Sequence, residues 1–360
     1  MANKKQGSTL KAGSIYQQII KWWLVIGVVM VLGQIVLGGI TRLTGSGLSI
    51  TKWDIVTGTL PPLNSQEWNE VFDLYKATPQ YAKINAGMSL IEFKYIFFWE
   101  YLHRLWARLM GFVFAIPFFI FLGKGWLSPD LTKRLGITVL LAAIVAAFGW
   151  IMVASGLIER PWVNAYKLTM HLSLACILYS YLLWTTFKAF QPKVKSFPHT
   201  VWKRWALGLT ILIGFQVILG GIMAGTKAGL QFPTWPDMYG VYVPNILLDS
   251  SMWNMENFSN YDEIPFLVAL IQFSHRTVAY LLVIIGLYFS YRLFKTKHSQ
   301  YIQKGSIMFV IVLIAQILLG IFTLIGCKGS IPVALGVFHQ MGGILLLSTI
   351  LFIDYQVLKK

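Results

Sequence analysis

Charge is scarce in this sequence. Only 12% of its residues are Asp, Glu, Lys or Arg, while 56% are hydrophobic. That is about half the charged share of an ordinary soluble domain, which excludes a soluble globular enzyme and identifies a polytopic membrane protein. Acidic residues are the scarcest of all, 14 against 30 Lys and Arg, for a net charge of +16. In a chain this apolar the basic excess orients membrane segments and does not build a nucleic-acid surface. Cysteine is nearly absent. Cys176 and Cys327 lie far apart and form no Cys-x-x-Cys pair, which excludes a disulfide framework and a zinc ribbon. Cys176, inside an apolar run, reads as a small packing residue. The lack of Cys, Asp or Glu clusters also argues against a di-iron carboxylate centre. No Asp-x-x-Asp or Asp-x-x-x-Asp run occurs, so a magnesium–diphosphate site is excluded. The first 17 residues hold no acid and no Arg, and no small-residue cleavage site closes the apolar run behind them. They read as a tail before a first membrane helix, neither a secretory signal nor a transit peptide, and point to a bacterial plasma membrane.

What is present is apolar length. Eight segments are long enough to span a bilayer, near 18–41, 93–123, 135–157, 166–190, 202–224, 265–294, 305–326 and 331–357. Their connections alternate in character. The N-terminus, the loops 123–134, 191–204 and 292–304, and the C-terminus hold most of the Lys and Arg and only Asp130 and Asp354 among the acids. The positive-inside bias then puts both termini in the cytoplasm. Two long outer connections, 42–92 and 225–264, are rich in Trp, Pro and acidic residues and read as ordered caps over the outer face.

The chain also repeats. Gln34-Ile-Val-Leu-Gly-Gly39 returns as Gln216-Val-Ile-Leu-Gly-Gly221, and the same offset pairs Gly47 with Gly229, Leu48 with Leu230, Trp53 with Trp235 and Pro62 with Pro244. Four helices per half give both halves the same membrane orientation. The expected architecture is all-α: eight transmembrane helices as two pseudo-twofold-related four-helix bundles. Residues 1–17 form a cytoplasmic tail, 18–190 the first bundle, 191–204 a cytoplasmic linker and 205–360 the second bundle. The Gly-Gly pairs suit a close approach of backbone to a neighbouring helix or to a flat ligand, two readings the sequence leaves open.

Against this background the ionisable residues inside apolar segments carry the functional signal, because such groups are costly in a membrane. Glu-Tyr-Leu-His-Arg at 100–104 has a downstream copy, Gln-Phe-Ser-His-Arg at 272–276. In each, the first residue and the His are three apart, on one helix face. His171 and His339 form a second matched pair. His103, His171, His275 and His339 each start an even-numbered helix just inside the outer boundary, two per half. His199 and His298, among lysines in cytoplasmic loops, read as solvated. Neutral imidazole ligates metals, and two imidazoles on facing helices can hold a haem iron axially. Arg104 and Arg276 are candidates for haem propionates or for snorkelling to the interface; Lys167, Thr169 and Arg108 are weaker ones. Glu100 is either a catalytic carboxylate or a structural partner of Arg104 one turn on.

This combination of motifs resembles the haem A synthase family, in its longer branch shared by many bacteria and by mitochondria, over about Trp22 to Leu358. The resemblance implies an oxidoreductase that converts haem O to haem A for haem–copper oxidases. The pyrrole C8 methyl becomes a formyl group through two hydroxylations with water as the oxygen source. It further implies a haem b cofactor on His275 and His339, a substrate haem on His103 and His171, and an essential Glu at Glu100. Electrons would leave singly through the cofactor to an unidentified acceptor. Haem O synthase, oxidase-assembly proteins and a second copy of the chain are the partners this reading suggests, beside membrane lipid and no nucleic acid. The cysteine pair that some bacterial members carry in the first outer loop is missing here, which excludes any mechanism that needs it. Cys327, alone near an outer loop, decides nothing.

Three rivals compete. A di-haem b-type electron carrier wants haems near both faces, whereas all four His lie near one. A haem transporter wants broken helices at mid-membrane, whereas the polar residues gather at the outer rim. A farnesyl-transferring haem O synthase wants the missing Asp-rich runs.

Overall fold

The computed structural model describes residues 15–52, 59–156 and 160–358. Eight of its helices are long and apolar enough to cross a membrane. They are α1 (Ile15–Leu43), α4 (Leu90–Gly123), α5 (Pro129–Ala154), α6 (Ala165–Phe190), α7 (Thr200–Gly225), α9 (Phe266–Lys295), α10 (Gln300–Ile325) and α11 (Val333–Leu358). Three short helices, α2 (Ser65–Lys76), α3 (Pro79–Lys83) and α8 (Met255–Ser259), belong to the two long connections. No strand occurs among the described residues. The protein is an all-helical, multi-pass membrane protein. Trp53, and nearly all of the expected N-terminal tail, lie outside the described residues.

Several helices begin before the apolar run that signals them, because a polar cap sets the true start. Ser128 caps α5 through Leu131 N, with Pro129 in its first turn. Ser299 caps α10 through Ile302 N. The largest consequence is in α4. Ser89 accepts from Glu92 N while Glu92 accepts from Ser89 N, a complete capping box. His103 therefore lies 13 residues into its helix, about 20 Å from its start, and not at a helix start as the sequence suggested. The extra turns of α4 form one wall of the cap built by the first long connection. Phe93, Ile96 and Phe97 pack there on Phe72 and Tyr75 of α2.

The four most buried spans are α1, α6, α9 and α11, and the least buried are α4, α5 and α10. Helix α1 packs on α4, α6 and α11, and α7 packs on α9, α11 and α6. Helix α5 packs on α6 as α10 packs on α11. Chains of polar contacts tie the first half of the sequence to the second. At the end that carries the two long connections, the Tyr261 hydroxyl accepts from Ala165 N at 3.0 Å and from Arg160 at 2.8 Å. Burial pushes that hydroxyl up from its ordinary pKa, so it stays neutral. Trp162 Nε1 donates to Asp262. At the opposite end, the Tyr355 hydroxyl donates to Gln191 O and the carboxamides of Gln191 and Gln356 meet at 2.7 Å.

Candidate functional site

His275 on α9 and His339 on α11 face each other, with ring centres 6.4 Å apart and ring planes at 80°. Two metal–nitrogen bonds of about 2 Å, with about 1 Å more from each nitrogen to its ring centre, would separate a pair of axial imidazoles by roughly 6 Å. The pair thus fits a bis-histidine iron. Its surroundings fit too. The Nδ1–H of His339 donates to Gln316 O at 3.2 Å, which leaves Nε2 free to ligate. Gln216 Nε2 donates to His275 O at 2.9 Å and holds α9 against α7. A glycine backs each ring. A Cβ added at Gly220 would sit 3.3 Å from His275 Cε1, and one added at Gly320 would sit 2.8 Å from His339 Cε1. Side chains here would push the rings off their positions.

The same parts recur around His103 on α4 and His171 on α6. His171 Nδ1 donates to Val145 O at 3.0 Å, and Gln34 Nε2 donates to His103 O at 3.2 Å. Added Cβ atoms at Gly38 and Gly149 would lie 3.1 Å from His103 Cε1 and 3.0 Å from His171 Cε1. Two differences separate the sites. Gln34 Nε2 also lies 3.3 Å from His103 Nε2, so the nitrogen that would ligate already has a polar neighbour. Among the described residues no ring contact joins His103 to His171. The Nδ1 atoms of His103 and His275 are buried with no hydrogen-bond partner among the described residues.

Glu100 is 3% exposed and its oxygens are occupied. Oε1 pairs with Arg104 Nη2 at 2.6 Å. Oε2 accepts from Ser49 Oγ at 2.7 Å and from Ile50 N at 2.8 Å. Arg104 also donates to Ile50 O at 3.0 Å and Lys52 O at 3.3 Å. In the second half, Gln272 Nε2 donates to Phe232 O at 2.7 Å, and Arg276 donates to Phe232 O at 3.0 Å and to Asp237 O. Ile50 and Phe232 are related by the same offset as the Gly-Gly pairs. Both arginines thus fasten a long connection to the helix that carries the neighbouring His, while Arg276 Nε stays buried without a partner among the described residues. Of the weaker propionate candidates, Lys167 is exposed. Thr169 is buried, with its hydroxyl turned to Ala165 O at 2.8 Å.

The sequence reading missed Gly149, Gly320 and the roles of Gln34 and Gln216. The repeat was the available signal, since Gly149 and Gly320 precede their histidines by 22 and 19 residues on the preceding helix of each half. The second glycine of each Gly-Gly pair serves helix contact: Gly39 faces the Gln340 carboxamide and Gly221 faces Thr169. His298 is also not fully solvated. It packs edge-on against Phe197 at 5.2 Å, because that linker phenylalanine is buried to 1% exposure and draws the imidazole over it.

The family model described as cytochrome oxidase assembly protein, COX15-CtaA, matches residues 21–351. The chain is 36% identical over 344 residues to a protein of Bradyrhizobium diazoefficiens named heme A synthase, covering 95% of this chain and 92% of that one. It is 37% identical over 344 residues to the heme A synthase of Nitrosospira multiformis, covering 95% and 94%. With that of Paramagnetospirillum magneticum it shares 38% over 337 residues, covering 92% and 91%.

Proposed function

The chain belongs to the haem A synthase family, COX15-CtaA, and from that premise we propose how its two histidine pairs divide the work. The protein is a haem A synthase that acts on haem O in the membrane. We assign the resident haem b to His275 and His339 and the substrate haem to His103 and His171. The observation that carries the assignment is the asymmetry of the two pairs. His275 and His339 face each other at 6.4 Å, with the His339 ring held by its bond to Gln316 O, as suits a permanently held group. His103 shares its Nε2 with Gln34, a contact that entering substrate can displace. Bound between His275 and His339, haem b supplies one-electron transfer.

The reaction we propose is oxidation of the pyrrole C8 methyl to a formyl group through two hydroxylations by water. Glu100 lies one helical turn from His103 and is the only carboxylate of the pair of five-residue motifs. Its charge, held by Arg104, stabilises positive charge that develops on the substrate and receives its protons. Gln272 cannot titrate, which keeps that chemistry out of the second half. Arg276 Nε is the propionate donor best supported, because it is buried and otherwise unpaired among the described residues. The matched packing of α1 with α4 and of α7 with α9 supports two pseudo-twofold-related bundles. The basic loops support cytoplasmic termini in a bacterial plasma membrane, with the haem sites toward the outer face.

The test is to co-express the protein with a haem O source and to analyse its extracted haems by chromatography and mass spectrometry. Haem A or its hydroxylated intermediate beside haem b is the expected result. Haem b alone, with haem O available, would favour the electron-carrier reading.

A further inference from the structure

Arg104, the cation that the sequence suggested for the first site, is committed to Glu100, Ile50 O and Lys52 O. Haem carries two propionates, and a carboxylate taken into a membrane protein needs a cation or hydrogen-bond donors beside it. The first site therefore needs another holder, and α1 supplies a candidate. Leu24, Val28, Val31 and Ile35 form the buried stripe of α1, and Arg42 falls on the same stripe two turns beyond Ile35. Protein atoms surround Arg42 closely, yet part of its surface remains accessible. His103, His275 and His339 share that condition, as side chains around an internal space do. Among the described residues the Arg42 guanidinium has no hydrogen bond and no ion pair, and its charged neighbour Lys227 has the same sign. A guanidinium enclosed without a partner is costly, and a bound carboxylate would satisfy it.

Two contacts fix its depth. Gly38, one turn before Arg42, lies against the His103 ring, where an added Cβ would come to 3.1 Å. Thr41 Oγ1 donates to Trp99 O at 3.2 Å, and Trp99 precedes Glu100. Helices α1 and α4 run in opposite directions here, so Arg42 and Glu100 stand at one depth, about one turn from His103 toward the long connections. The second half has no counterpart, because the position matching Arg42 is Ala224. That half instead keeps Arg276 Nε buried and unpaired among the described residues.

We propose that Arg42 binds a propionate of the substrate haem and so sets which edge of the porphyrin faces Glu100. This rests on the haem assignment above. In haem O the C8 methyl shares its pyrrole ring with a propionate. A guanidinium that holds this propionate through paired N–H donors presents the neighbouring methyl at the depth of Glu100. The ring methyls remote from the propionates are carried away from the carboxylate.

The experiment titrates the purified, haem b-loaded protein in nanodiscs with haem O and with its propionate dimethyl ester, and reads binding from the Soret difference spectrum. Haem O should bind wild type about tenfold or more tighter than the ester does, the loss of one charge-assisted hydrogen bond. In Arg42→Gln, haem O should weaken by the same factor, the ester should bind as it does to wild type, and the haem b spectrum should not change. Arg42→Lys keeps the charge without the planar fork and should recover part of the loss. Equal binding of acid and ester to wild type overturns the proposal without recourse to any variant. An equal loss for acid and ester in Arg42→Gln overturns it too, and makes Arg42 a packing residue. Haem O affinity that survives unchanged in His103→Ala and His171→Ala overturns the haem assignment itself, and the proposal with it.

Discussion

Glu100 and Gln272 occupy matching positions and fasten the long connections beside them with opposite polarity. Glu100 accepts from Ile50 N, whereas Gln272 donates to Phe232 O. A glutamine is therefore sterically acceptable at this place in the fold, and Glu100→Gln separates charge from shape. The variant should retain its haem b spectrum and lose haem A formation by about a hundredfold or more, the usual contribution of a positioned acid–base group. Chromatography of extracted haems reads the outcome, and wild-type yield would reduce Glu100 to a loop fastener. The glycines behind the rings give a second test. Gly320→Leu would drive a side chain into the His339 ring, which a Cβ alone would approach to 2.8 Å. Haem b content per protein should fall about tenfold or more, as when a support of a metal ligand is lost. Gly149→Leu should leave haem b in place and impair only product formation. The His and Glu positions were legible in the sequence because ionisable residues stand out in apolar runs. Gly149 and Gly320 were not, because a glycine among small membrane residues has no signal of its own until a ring is placed against it.

At the scale of elements, the spans were legible from apolar length, and their starts were not. Hydropathy marks where lipid begins, whereas Ser89, Ser128 and Ser299 mark where the helix begins. For α4 that difference matters to function. Its capped outer turns join Phe93 and Phe97 to the α2 cap, and one turn further on Glu100 holds the loop at Ser49 and Ile50. Ser89→Ala removes both the acceptor for Glu92 N and the hydroxyl that donates to Glu92. It should cost about 1 kcal/mol and lower the thermal midpoint of the purified protein by a few degrees. The helix-length explanation of His103's depth predicts more. Loosening the outer turns should raise protease cleavage within 59–89 while leaving haem b unchanged, because His275 and His339 hang on other helices. Equal loss of haem b would mean that the cap supports the whole molecule and not only the first site.

At the scale of the molecule, the question is what holds the two halves together where water cannot. Lipid tails give apolar helices no reason to associate, so close packing and buried polar contacts must do so. Gln340 supplies one such contact. It follows His339 on α11, crosses to α1, and donates to Ile35 O at 2.7 Å over the gap that Gly39 leaves. Ile35 follows Gln34, whose carboxamide holds His103. A single clasp thereby connects the helix of the proposed cofactor to the helix that orients the proposed substrate ligand. Gln340→Leu removes the hydrogen bond at similar size and should destabilise the protein by about 0.6 kcal/mol and at most about 1.7, the average and the maximum for such bonds between membrane helices. Gly39→Leu forces a side chain into the space of Gln340 and should cost more, as overpacking does. The informative readout is the comparison of sites. If α1 and α11 set each other's register, Gln340→Leu should shift the KM for haem O while the haem b spectrum stays that of wild type, since His339 keeps its bond to Gln316 O. A change in the haem b spectrum with KM unaltered would place the clasp in service of the cofactor alone and separate the two halves functionally.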